Sequence, residues 1–316
     1  MTHELLLAGI DGANPLGFLA ALGTLRTAVR SAENATAFRL RWIEHANAWR
    51  PVLIATSPLD PDTLVTRLQA QLARSADDPA FALGDDPSVP LDDYRRYARR
   101  AAAAALTGDR AWADFAAAFA SEVPLNDDGR VPDTALRTMS GAGHQHFIKF
   151  MRNFIDQTQP RHLHKTLFEE WRYDDPVQNM TLRWDPSDDS RYALRWSDPS
   201  GDPERRQTGS MWGANRLAIE ALPLMPTLPT RRRLETAGFH TEGARKTHWT
   251  WPIWNVAAGL DTIRSLLDMT DVQRCGRTDA PVRGLRARGI VEIYRSRRVT
   301  TGKFRNFTMG MPIPFA

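Results

Sequence analysis

Residues 4–10 (ELLLAGI) form a short apolar run that stops at Asp11-Gly12, a pair suited to a turn, and this pattern predicts a buried strand. Asn14 then offers a side-chain oxygen to the first free amides of a helix. Pro15 fits the first helical position, where an amide would be unpaired in any case. Phe18, Leu19, Leu22 and Leu25 recur at helical spacing, with Gly17, Ala20, Ala21 and Gly23 between them. Small residues at those positions let a second element come unusually close.

Further along, FRLRWIE (38–44) alternates and AWRPVLI (48–54) follows it closely, so the two predict an antiparallel pair. Residues 60–74 start with an Asp cap signal and place Leu64, Leu68 and Leu72 four apart, which predicts a helix. Residues 76–90 are rich in Asp, Pro and Gly and read as a loop. Residues 94–122 read as alanine-rich helix broken near Gly108. The stretch VPLNDDGRVPD (123–133) reads as a linker. It divides the chain into a helix-rich N-terminal lobe with a small sheet, 1–130, and a mixed C-terminal lobe with antiparallel hairpins, 131–316.

In the second lobe, residues 140–158 read as a glycine-rich lead into a helix with Phe147, Ile148, Met151, Phe154 and Ile155 on its apolar face. Residues 162–171 read as another helix. LRWDPSDD at 182–189 is echoed by LRWSDPSG at 194–201, and this near-repeat predicts a hairpin. Then come a short helix stopped by prolines (215–224), an aromatic strand (248–255) and a helix (258–269). Residues 289–310 alternate on both sides of Thr301-Gly302, which predicts a hairpin with a basic arm. The fold class expected from these elements is α+β with two lobes.

Composition narrows the class. The chain has 316 residues, 42% hydrophobic and 25% charged, as in globular proteins rather than disordered ones. No stretch approaches the roughly 18 consecutive apolar residues of a membrane span, and the N-terminus lacks the basic flank of a signal peptide. The single cysteine, Cys275, excludes an intrachain disulfide and points to the reducing cytoplasm. The formal charge is +4, and only Lys149, Lys165, Lys246 and Lys303 are lysines, so arginine carries nearly all the positive charge. Charge is also segregated. Residues 60–130 hold thirteen acidic and eight basic side chains, a net of -5, and residues 231–305 hold sixteen basic and seven acidic, a net of +9. A basic footprint at one end suits a nucleic acid or another acidic partner.

The opening segment is no phosphate loop, for it lacks the GK[ST] of a Walker loop, and Gly12, Gly17 and Gly23 miss the dinucleotide spacing. SGAGHQHF is a better anion candidate. There Gly141 and Gly143 allow close backbone approach, the helix-start amides point outward, and His144 and Lys149 can assist. Histidines 144, 146, 162 and 164 form two HxH pairs, but residues two apart do not share a helix face, so no metal site is expected. Asp185, Asp188 and Asp189 have the neighbours of turn residues. No hydrolase or metalloprotease motif occurs, Cys275 has no identifiable base, and neither a catalytic set nor a cofactor is expected.

The strongest binding signal is basic. Arg231, Arg232 and Arg233 follow a proline-rich loop, Lys246 precedes the aromatic strand, and Arg295, Arg297, Arg298, Lys303 and Arg305 flank the Thr301-Gly302 turn. Strand alternation puts Arg295 and Arg297 on one face, while Phe304 and Phe307 offer stacking surfaces. Trp184, Trp196, Trp212, Trp249, Trp251 and Trp254 fit either base stacking or a core.

The opening stretch LLLAGIDGANPLGFLAALGTLR resembles the N-terminal signature of subunits from type I-G CRISPR systems, formerly I-U, in the large-subunit and helicase-associated accessory families. The stretches LRWDPSDDSRYALRW, MWGANRLAIEALPL and TWPIW are similar to the accessory family. At 316 residues the chain is shorter than the large subunits. The resemblance implies a non-catalytic part of an antiviral ribonucleoprotein, with guide RNA or target DNA and other effector subunits as partners, and a helicase-nuclease nearby. It assigns no individual binding residue. Two alternatives stay open: a protein-only accessory factor that couples the effector to its helicase-nuclease through a Trp-rich surface, and a metal-dependent nuclease built on His144, His146 and the acidic cluster near Asp188.

Overall fold

Asn14 caps helix α1 (Pro15–Arg30) as its sequence directs, Oδ1 accepting from the Leu16 and Gly17 amides at 2.9 and 3.3 Å. The computed structural model describes residues 2–74, 78–108, 110–139, 145–175, 180–188, 209–231, 233–242, 246–276, 284–301 and 304–315. Around α1 lie two sheets. The first joins β1 (His3–Leu6), β2 (Phe38–His45) and β3 (Ala48–Ala55) in the order β1-β3-β2, all antiparallel. The second contains β6 (Phe239–Glu242), β7 (Lys246–Trp254), β8 (Ile290–Thr301), β9 (Phe304–Phe307) and β10 (Met311–Pro312). It runs β10-β8-β7-β6, with β9 also paired to β8. A short hairpin of β4 (Thr227–Pro229) and β5 (Leu234–Thr236) stands apart.

The remaining helices are α2 (Pro61–Ala73), α3 (Leu91–Leu106), α4 (Ala111–Phe119), α5 (Phe147–Gln157), α6 (Pro160–Phe168), α7 (Trp212–Ala221), α8 (Leu260–Leu267) and α9 (Thr270–Arg274). With helices and antiparallel sheets both present, the fold is α+β. The predicted strand pair 38–44 and 48–54, the Asp60-capped helix and the break near Gly108 are all found. Residues 182–188, the first arm of the predicted repeat hairpin, form no strand, and the second arm lies outside the described residues. No described helix is long and apolar enough to cross a membrane.

Helix α1 is buried on every side because it sits between α7 and both sheets. Its small residues make that possible. A Cβ at Gly23 would stand 1.7 Å from the Leu217 carbonyl oxygen of α7, so only glycine lets the helices meet this closely. On another face of α1, the Phe18 ring lies among Trp42, Trp249, Trp251 and Trp254, with centroids 5.9, 6.0, 5.6 and 6.4 Å away. These contacts carry one hydrophobic core across the 130/131 division.

The α1–α7 contact also holds buried charge. Glu220 accepts from Arg26 at 2.6 Å and from Arg216 at 3.0 Å, and Arg30 stands 3.8 Å away. Burial would push the Glu220 carboxyl up, but Arg216, Arg26 and Arg30 outweigh it and hold the group below the ordinary carboxylate range.

Candidate nucleic-acid interface

The register of the second sheet decides where its basic side chains go. Trp249 pairs with Ser296 and Trp251 with Tyr294, and both tryptophans face the core, so Thr247 and its partner Arg298 share that inner face. His248 pairs with Arg297 and Thr250 with Arg295, which puts Arg295 and Arg297 together on the outer face as expected. Lys246, two residues before His248, and His240, opposite His248, belong to the same outer face.

The three arginines of β8 have different surroundings. Arg295 is engaged within the fold: Nε donates to Thr250 Oγ1 at 2.9 Å, and Nη2 donates to the Cys275 and Gln273 carbonyls at 2.6 and 3.4 Å. Arg298 is engaged too, donating to the Ala135 carbonyl at 2.8 Å and to Thr247 Oγ1 at 3.3 Å. Burial and the neighbouring Arg305 charge bring its pKa down to about 10, against the pull of Asp133. Arg297 is exposed and makes no ion pair among the described residues, and the same holds for Lys246 and Arg231. Arg233 is paired with Glu235 at 3.0 Å. Arg232 and Lys303 lie outside the described residues. The exposed basic set is therefore Lys246 and Arg297 on this face and Arg231 on the β4–β5 turn.

A second basic group forms where the inner face of β8 meets residues 133–139. This segment is held in place by the Ala135 amide on Thr236 Oγ1 (2.8 Å), Trp184 Nε1 on the Leu136 carbonyl (2.9 Å) and Thr138 Oγ1 on the Leu182 carbonyl (2.6 Å). Arg298 reaches its Ala135 carbonyl, and Arg305 donates to its Arg137 carbonyl at 3.4 Å. The Arg137 side chain pairs with Asp133, stands 3.5 Å from Asp86, and donates to the Met139 carbonyl at 2.7 Å. Asp86 also takes His146 Nδ1 at 2.7 Å and the Phe147 amide at 2.9 Å. Two regions far apart in sequence, the lead into α5 and the basic hairpin, thus meet on one platform.

That meeting changes the reading of SGAGHQHF. The Ile148 and Lys149 amides donate to the Asp85 carbonyl at 2.9 and 3.2 Å, and the Phe147 amide is taken by Asp86, so these helix-start amides are already satisfied. Lys149 is exposed on α5. Gly141, Gly143 and His144 lie outside the described residues. Arg137, Asp86 and Asp133 were not singled out in the sequence.

Other candidates resolve into structural parts. Trp184, Trp249, Trp251 and Trp254 are fully buried and Trp212 nearly so, which is the core reading of the tryptophans. Trp196 is outside the described residues. Phe307 is buried against Phe239 and Trp249 and is not available to stack a base. His162 is buried against Trp212, and His164 sits 3.2 Å from Glu169. Asp185 accepts from Ser187 and Asp188 from Thr181, and Asp189 is outside the described residues. Among the described residues no three His, Cys, Asp or Glu side chains converge as metal ligands. Cys275 is buried, and burial pushes its thiol up.

No known protein family and no curated protein matches the chain.

Proposed function

We propose that the protein is a non-catalytic subunit of a type I-G CRISPR ribonucleoprotein that binds guide RNA or target DNA through the basic end of its second sheet. One observation carries the reading: Arg231, Lys246 and Arg297 are exposed without ion pairs among the described residues, while Arg233, Arg295 and Arg298 are engaged by the fold. Unpaired surface arginine and lysine are the groups that exchange counterions for phosphates. The resemblance of the opening segment supplies the system. Burial of Trp184, Trp212, Trp249, Trp251 and Trp254 supports this reading over a protein-only coupling role through a Trp-rich surface.

Two measurements test this. Purified protein is expected to retard single-stranded RNA or duplex DNA at low salt, and co-expression with the genes that flank its own is expected to yield a complex containing other effector subunits. Absence of binding to every nucleic acid tried would sink the interface, and flanking genes unrelated to CRISPR would sink the system.

A further inference from the structure

We propose that Arg298 and Arg305, where they meet the 133–139 segment, form a site for a phosphate oxyanion, separate from the exposed Arg231, Lys246 and Arg297. The inference deepens the nucleic-acid reading, yet it stands on its own observations.

The first observation is the balance of charge. Three guanidinium groups face two carboxylates here, and both carboxylates are already used: Asp133 by Arg137, and Asp86 by Arg137, His146 and the Phe147 amide. Among the described residues Arg298 and Arg305 find only neutral acceptors, the carbonyls of Ala135 and Arg137 and the hydroxyl of Thr247. Two like charges share a half-buried space without a carboxylate of their own. Burial first, and then the neighbouring Arg305 charge, depresses the Arg298 group. An oxyanion between them would offset repulsion that the protein leaves standing.

The second observation concerns free donors. Among the described residues Arg305 makes one bond, at 3.4 Å, from a group that carries five N–H donors. The others are free to form the paired, planar contacts that guanidinium makes with phosphate. The platform beneath is tied down at three points, the Ala135 amide by Thr236 of β5 and the Leu136 carbonyl and Thr138 hydroxyl by Trp184 and Leu182. The carbonyl acceptors that orient Arg298 and Arg305 therefore keep their places. The Glu220 network holds buried arginines as well, but there a carboxylate receives both Arg26 and Arg216.

The chemistry shared by the ligands is a phosphate group, either on a free small phosphate or in a nucleic-acid backbone. Thermal unfolding of the full chain in sodium phosphate, against sodium chloride of matched ionic strength, tests the site. Saturating phosphate is expected to raise the midpoint by about 2–5 °C. Arg305→Gln is expected to lose most of that rise, Arg305→Lys to keep only part of it, and Arg297→Gln to keep it whole. A 5′-hydroxyl RNA tetranucleotide, which contains only diesters, identifies the source. If it reproduces the Arg305-dependent rise the site takes backbone phosphate, and if only inorganic phosphate does so the site takes a free phosphate. No phosphate-specific rise in the wild type, or an equal rise in both Arg305 variants, overturns the proposal whatever the outer face does with nucleic acid.

Discussion

Two places in this molecule hold clustered arginine, and they differ in what answers the charge. At the α1–α7 contact, Glu220 receives Arg26 and Arg216 on separate carboxylate oxygens and the group is closed. At the basic end of the second sheet, Arg298 and Arg305 rest on carbonyls and a hydroxyl, and Lys246 and Arg297, like Arg231 on the β4–β5 turn, are exposed without ion pairs among the described residues. An arginine that is neutralised in place joins parts of the fold. One left with spare donors is available to a partner. The contrast explains why arginine content alone says little about function.

The closed network predicts the largest effect. Glu220→Gln leaves Arg26 and Arg216 buried without a counter-charge and is expected to cost about 3–5 kcal/mol of stability, read by urea unfolding at neutral pH. Because the folded carboxyl titrates below its ordinary value, its stabilisation is complete above the unfolded pKa. It is then lost as pH falls through the lower folded value. The wild type should lose stability over that acid range more steeply than Glu220→Gln. Equal acid profiles would mean that Glu220 does not organise the contact.

A smaller effect separates the neighbours on β8. Arg298→Ala removes the bonds to Ala135 and Thr247 and is expected to destabilise by about 1–3 kcal/mol, whereas Arg297→Ala should stay within about 0.5 kcal/mol. Equal losses by urea unfolding would erase the distinction between the two faces.

Much of the fold was legible because its signals are local. Asn14-Pro15, the spacing of Phe18, Leu22 and Leu25, and the alternation in 38–44 each specify an element within a few residues. The role of Gly23 was legible only in part: small residues announced close packing, but the partner, Leu217, is nearly two hundred positions away. The candidate site was less legible still. Alternation placed Arg295 and Arg297 on one face, yet it could not say which face of β8 meets the core. That depends on the register with Trp249 and Trp251. Nor could it show that Arg295 would be covered by the Gln273 and Cys275 carbonyls. Arg137 escaped notice for the same reason, since its partners Asp86 and Arg305 come from distant segments.

The most direct test of the exposed basic set is the salt dependence of RNA binding, followed by fluorescence anisotropy with a single-stranded oligonucleotide over a range of sodium chloride. If Arg231, Lys246 and Arg297 each meet one phosphate, replacing all three by Ala should lower the slope of log affinity against log salt by about 2. The urea midpoint should remain near that of the wild type. A folded triple variant with an unchanged slope, or a wild type whose affinity does not depend on salt, would contradict the account.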